Sequence, residues 1–207
     1  MINNISFERI LAIGPHPDDI ELGCFGTLAR YKSLGSQISF VVLTYGGKNG
    51  EENVRKQEAE SAASILGAKI YYGELEDTKI SDGFDTIKVL EKAIFGFKPT
   101  VIIANSVKDT HQDHRNASRA AVSASRFVPT VLFYQTPSSS RDFDPKFFVD
   151  VTDFIDIKTK AVNIHKSQGD NVYMADRAVR GLAEFLGFQI YKGGRYFEGF
   201  EIHQLII

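Results

Sequence analysis

The sequence predicts an α/β fold: one domain with a mostly parallel sheet flanked by helices on both faces. Three observations carry that prediction. Short apolar, β-branched runs alternate with longer segments of near-helical spacing, giving five strands by Tyr134. Each helix between two strands is long enough to cross over the sheet, which implies right-handed βαβ units. The chain has 207 residues, enough for one sizeable core and short for two, so residues 1–207 are taken as one domain.

The first strand is the run 10–13, bounded by Gly14 and Pro15. Residues 20–34 form a helix, with Leu22, Phe25, Leu28 and Ala29 at near-helical spacing and Gly35 as its stop. A β-branched strand follows at 38–43. The helix at 51–66 is charged early, alanine-rich later, and closed by Gly67. Strands at 69–72, 100–104 and 130–134 then alternate with helices at 84–95 and 113–125. The remainder is less regular: a strand at 147–151, helices at 154–165 and 175–188, and a final apolar run at 198–207 that reads as an edge strand or an interface. Ser138, Ser139 and Ser140 mark a flexible loop.

Bulk properties exclude several classes. A net charge of -2 and the absence of a basic run argue against a nucleic-acid or membrane-surface partner. The lone Cys24 rules out an intrachain disulfide. The first residues lack the pattern of a signal peptide, and no apolar stretch approaches the ~20 residues that span a bilayer, so a cytoplasmic location is expected. Gly46, Gly47, Lys48, Asn49 and Gly50 lack phosphate-loop spacing. Pro15, His16 and Pro17 stand where a dinucleotide fingerprint would need Gly-x-Gly.

In an open parallel sheet, ligands bind beyond the carboxyl ends of the strands. The segment after the first strand holds His16, Asp18 and Asp19; the one after the fourth holds Asp109, His111, Asp113 and His114. Those strands are expected to be neighbours, so the two segments meet in one crevice. His16 and Asp19, three apart, with His114 from across the crevice, match a catalytic zinc site with an open position. Fe(II) or Co(II) suits the same ligands. Asp18 is then placed to take a proton from water and deliver it to a leaving amine. His111, if protonated, stabilises an oxyanion or acts as general acid, and Asp113 orients a histidine. Against this, an Asp pair after a strand also reads as a helix-capping cluster, and a loop histidine as merely solvated. Both segments at the same edge of one sheet favour the chemical reading.

The string from Pro15 through Asp18, Asp19 and Glu21 to Cys24 resembles the first motif of the PIG-L/LmbE-like deacetylases. His111, Gln112, Asp113 and His114 resemble their second, His-x-Asp-His. Weaker likenesses lie at Thr44–Lys48 with Arg55 and Glu58, at 161–168, and at Tyr196, Glu198 and Phe200. The resemblance implies a Rossmann-like, LmbE-like fold and zinc-dependent removal of an N-acetyl group from an N-acetylglucosamine-type sugar. It implies His16, Asp19 and His114 as zinc ligands and Asp18 as general base. It further implies His111 as transition-state stabiliser, with Asp113 supporting it. Pro15, Phe25 and Gly47 depart from the family's usual alanine, glycine and glutamate; Phe25 and Gly47 are expected near the mouth of the site.

Other residues keep two readings. The resemblance gives Arg55 a substrate contact, whereas helical spacing pairs it with Glu51 or Glu58 on the surface. Asp77 binds sugar hydroxyls or closes a turn. Tyr45 is a rim aromatic or a turn-packing one, and Asp109 shapes the loop before His111. His165 approaches the site or ends a helix, and His203 belongs to the core or an interface. Cys24 is a buried small hydrophobe rather than a fourth ligand. The aromatic-rich tail and the run Leu205, Ile206, Ile207 make a homo-oligomer an expectation. A two-metal phosphoesterase and a catalytically silent sugar-binding protein are the alternatives to a deacetylase.

Overall fold

The computed structural model describes residues 7–206, so the expectations for residues 1–6 and for Ile207 lie outside it. The elements run β1 (Arg9–Gly14), α1 (Asp19–Ser33), β2 (Gln37–Val42), α2 (Glu52–Ser64), β3 (Lys69–Tyr72), α3 (Phe84–Phe97) and β4 (Val101–Asn105). They continue as α4 (Gln112–Ala124), β5 (Thr130–Tyr134), β6 (Phe147–Asp150), α5 (Ile155–Val162), α6 (Asp176–Gln189) and β7 (Phe197–Leu205). One seven-stranded sheet has the order β3-β2-β1-β4-β5-β7-β6. Its first five strands are parallel, and β7 and β6 are antiparallel additions.

Side chains alternate across β1. Ile10 and Ala12 join a core under α1, while Leu11 and Ile13 join a second core under α3 and α4. Burial on both faces explains why the parallel strands read as continuous apolar runs. Among the described residues, no helix is long and apolar enough to cross a membrane.

Three expectations change. The final strand is an edge only in part: β7 pairs with β6 over Phe197–Phe200 and with β5 over Phe200–Leu205, so its last residues have one neighbour. The helix expected at 154–165 is shorter; α5 ends at Val162, and His165 caps a separate 3-10 turn, Lys166–Gln168. The serine stretch is tied down: Ser139 pairs with Asp109 as an isolated bridge, Ser139 Oγ accepts from Thr136 N at 2.9 Å, and Ser140 N donates to Lys108 O at 2.8 Å.

α1 is braced from the far end of the chain. Gly26 N and Thr27 N, in mid-helix, donate to the Glu198 carboxylate at 3.0 and 2.7 Å. Leu22 O, the carbonyl one turn before Gly26, accepts from Lys158 Nζ at 2.7 Å, and Lys158 also pairs with Glu198. Both charges are buried, and their partners satisfy them, which a buried ion pair requires. Nearby, Gly23 is compulsory: a Cβ there would lie 2.0 Å from the Tyr134 ring.

Candidate metal and catalytic site

β1 and β4 are parallel neighbours, with Ile10 opposite Val101 and Ala12 opposite Ile103. The chain leaves β1 for α1 on one face and β4 for α4 on the other. Their carboxyl ends therefore open a crevice, as the topological rule requires. A cavity of about 260 Å³ lies there, lined by His16, Asp18, Asp19, Asp77, His111 and His114 among others.

The β1–α1 turn builds one wall. His16 N donates to Asp19 Oδ2 at 2.9 Å, which fixes the aspartate at the start of α1. Asp18 precedes the helix with φ 110°, in the left-handed region, and its side chain makes no capping bond. Such a backbone is costly for a residue with a Cβ, and it leaves the carboxylate free to face the cavity. Arg55, buried, donates to Gly46 O and Pro17 O at 2.8 Å and reaches Asp18 Oδ2 at 3.4 Å. Gly46 permits this: its φ is +71°, and a Cβ there would lie 2.3 Å from Arg55 Nη1.

The β4–α4 turn builds the opposite wall. His111 is the N-cap of α4, and its Nδ1 accepts from Asp113 N at 3.2 Å. That bond puts the ring proton on Nε2. Asp109 accepts from His111 N at 2.8 Å and lies 3.1 Å from His114 Nδ1.

A ligand set emerges from these contacts. Asp19 Oδ2 lies 3.3 Å from His16 Nδ1, and Asp19 Oδ1 lies 3.3 Å from His114 Nε2. One ligand atom from each of the three residues can be chosen with all within 4.8 Å of one another. On their outer sides, His16 Nε2 meets Asp77 at 3.1 Å and Asp113 at 3.2 Å, while His114 Nδ1 meets Asp109. With a metal bound, the carboxylates behind both rings would hold the protons outward and leave His16 Nδ1 and His114 Nε2 as lone pairs facing inward. Two imidazoles, one carboxylate and an open cavity side fit a catalytic metal. A second cluster, His16, His111 and Asp113, shares the His16 ring, and Asp113 is fully buried.

The electrostatics follow from this crowding. Burial opposes charge on His16, but bonds to Asp113, Asp19 and Asp77 outweigh it and raise its pKa. For His114, Asp19 and Asp109 likewise outweigh burial. Burial and the Asp19 charge push Asp18 up, against the pull of Arg55. Asp77 falls to about 2 despite burial, because His16 and the Lys48 amide stabilise its anion. His111 is lowered by burial and by the His114 and His16 charges. A bound cation would draw Asp18 back toward its ionised form.

The PIG-L family profile, described as GlcNAc-PI de-N-acetylase, matches residues 11–125. The uncharacterized deacetylase YaiS of Escherichia coli is 36% identical over 77% of this chain and 91% of its own. This chain belongs to the PIG-L family. Diacetylchitobiose deacetylase of Thermococcus kodakarensis is 26% identical over 93% of this chain and 82% of its own length. The inhibitor-complexed N,N'-diacetylchitobiose deacetylase from Pyrococcus horikoshii superposes with a TM-score of 0.82 at 27% identity, covering 94% of this chain and 83% of that one. The protein is accordingly a deacetylase of the PIG-L family, with the fold of its LmbE-like members.

Within this PIG-L site, His16, Asp18, Asp19, His111, His114, Arg55 and Asp77 all line one cavity. Other residues resolve between the readings the sequence left open, some as expected and some not. The Asp113 carboxylate bonds His16 and the Thr78 amide, so the histidine it orients is His16; the His111 ring is bonded by the Asp113 backbone amide rather than by its carboxylate. Arg55 makes no surface pair with Glu51 or Glu58, because its guanidinium is turned inward over Gly46. Phe25 is not at the mouth: it packs in the core beneath α1, against Phe40. Gly47 is exposed beside Glu52 and does not line the cavity. Tyr45 packs on Tyr72 and donates to Glu74, away from the cavity. His203 is exposed, so the core placement fails. His165 is buried behind the cavity, 3.5 Å from Glu21, rather than ending a helix. Cys24 is buried in the apolar core, away from the ligand cluster.

Sequence reasoning missed Asn49, Thr136, Gln168 and Tyr173, which line the cavity from loops and 3-10 turns. Thr136 Oγ1 donates to Asp109 Oδ2 at 2.6 Å. The only advance signal was that Gln168 closes one of the weakly family-like segments.

Proposed function

We propose that the protein is a zinc-dependent hydrolase that removes an N-acetyl group from an N-acetylglucosamine-type sugar or sugar conjugate, giving acetate and a free amine. One observation carries this reading. The triad His16, Asp19 and His114 shares a single cavity with a carboxylate, Asp18, and an imidazole, His111, that the triad does not use. Zinc, when bound by the triad, supplies Lewis acidity to the acyl carbonyl and the attacking water. Fe(II) or Co(II) would suit the same ligands.

Asp18 accepts a proton from the attacking water and returns it to the leaving nitrogen as the C–N bond breaks. Arg55 holds that carboxylate in place from Pro17 and Gly46. His111 donates from Nε2 to the carbonyl oxygen as it gains charge, and it does so as a neutral ring, because Nδ1 already caps α4. Asp109, Asp113 and Asp77 are positioning carboxylates for His114 and His16. Arg55 and Asp77, with Asn49 and Gln168, form the polar end of the cavity and are assigned to sugar hydroxyls.

Among the described residues, the two candidate ligand clusters share the His16 ring, so one metal per chain is expected rather than the two of a phosphoesterase. The test is a panel of N-acetylated glycosides, read by acetate and amine release with zinc, with chelator, and after zinc is restored. Chelator-sensitive acetate release with one metal per chain is the expected result. Two metals per chain, or no acetate from any glycoside after zinc loading, overturns the assignment.

A further inference from the structure

A second cavity, of about 210 Å³, adjoins the first; Leu22, Pro137 and Tyr173 line both. Its walls are apolar: Val179, Leu182 and Leu186 of α6 face Phe197 of β7 across it. Lys158 and Glu198 also line it. Their polar atoms are already engaged with each other, with Leu22 O and with the Gly26 and Thr27 amides, so they expose mainly methylene surface. An apolar void of this size is larger than the roughly 150 Å³ that takes up benzene, so it accommodates a chain of about six carbons.

Sheet order gives the pair of cavities a direction. Asn49 follows β2, and Asp77 and Thr78 follow β3, so the polar end lies on the β3-β2 side of the triad. Pro137 follows β5, and α6 and β7 lie further along, so the apolar end lies on the opposite side. A scissile amide held at the triad has a hydroxyl-rich amine component on one side and an acyl component on the other. The hydroxyls match the polar end, which leaves the acyl group pointing at the second cavity.

We infer that this second cavity is an acyl-chain subsite, and that the enzyme takes N-acyl amino sugars whose acyl chain is longer than acetyl. The inference rests on the amide-hydrolase reading of the triad. The reaction is unchanged in kind: the amide C–N bond breaks, the water oxygen bonds to the acyl carbon, one water proton goes to nitrogen, the other is released as the acid ionises, and a carboxylate and an amine leave.

The experiment compares two substrate series on the zinc-loaded full chain: N-acylglucosamines from acetyl to decanoyl, and N-acetylglucosamine O-alkyl glycosides from methyl to octyl. Complete burial of each methylene raises kcat/KM by about fourfold. The N-acyl series is expected to climb to about hexanoyl or octanoyl and then level, and the O-alkyl series to stay flat. A flat or falling N-acyl series overturns the subsite, as does a climb confined to the O-alkyl series. Calorimetry on the metal-free protein separates binding from turnover: N-hexanoylglucosamine should bind at least tenfold more tightly than N-acetylglucosamine. Equal affinities refute the subsite even if acetate release is normal; tighter binding with no hydrolysis of any substrate preserves it and removes the hydrolase reading. Ala178→Phe, which narrows the cavity from α6, should compress the hexanoyl-to-acetyl ratio; an unaltered ratio places the chain elsewhere.

Discussion

The two turns that build the site begin their helices in opposite ways. At the start of α1, Asp18 has a left-handed backbone and a side chain that caps nothing. At the start of α4, His111 has an extended backbone and caps the helix through Nδ1. The first turn accepts local strain and leaves a whole carboxylate available for proton transfer. The second is unstrained, but it divides one ring between a structural bond and a donor that faces the substrate. A helix N-terminus can thus present a proton carrier or a fixed hydrogen-bond donor, depending on whether the capping atom is used.

The largest effect tests what the two turns share. His114→Ala should lose bound metal and all measurable acetate release; unchanged metal content by elemental analysis would remove it from the ligand set. Asp18→Asn comes next. It should keep its metal while kcat falls about 100- to 10,000-fold, the usual loss for a general base. Near-normal kcat in that variant would break the comparison at its first term. For the second turn, His111→Ala should cost about 100- to 1,000-fold in kcat, as for one oxyanion donor, and about 1 kcal/mol of stability through the lost cap. His111→Asn can cap α4 again, so its Tm should recover while its kcat does not; recovery of both would make the ring purely structural. The smallest effect isolates the strain. Asp18→Gly should be about 1 kcal/mol more stable to urea than Asp18→Ala, because glycine accepts a positive φ. Equal stabilities would show that the turn is not strained.

Much of this was legible in the residues. The parallel half of the sheet follows from runs such as Ile10–Ile13, whose burial on both faces makes them uniformly apolar. The meeting of His16 and Asp19 with His114 follows from strand adjacency alone. What stayed hidden depends on direction rather than position. Phe25 lies six residues beyond Asp19 and faces the sheet, whereas Leu22, one turn from Asp19, faces the cavity. The aim of Asp113 depends on how α4 begins, and its His16 partner is 97 residues away. Nothing in the pair Asp18 and Asp19 announces a left-handed backbone. Thr136 sits in a loop and Tyr173 in a single 3-10 turn, too short for any periodicity to place them. The final strand was legible only in half: exposed Ile202 and His203 lie where β7 has β5 alone as a neighbour, whereas the β6 pairing at Phe197–Phe200 left no signal.

The brace on α1 bears on the order of events when the chain folds. Every triad ligand, Asp18 and His111 lie within the first 114 residues, yet the amides of Gly26 and Thr27 meet Glu198 across 172 and 171 positions. A chain emerging from the ribosome therefore carries its metal ligands and proton-handling groups long before the strut that sets its first helix. Closing so long a loop is slow. Metal affinity and turnover should therefore mature late, after β7 has paired with β5 and β6 and brought Glu198 against α1.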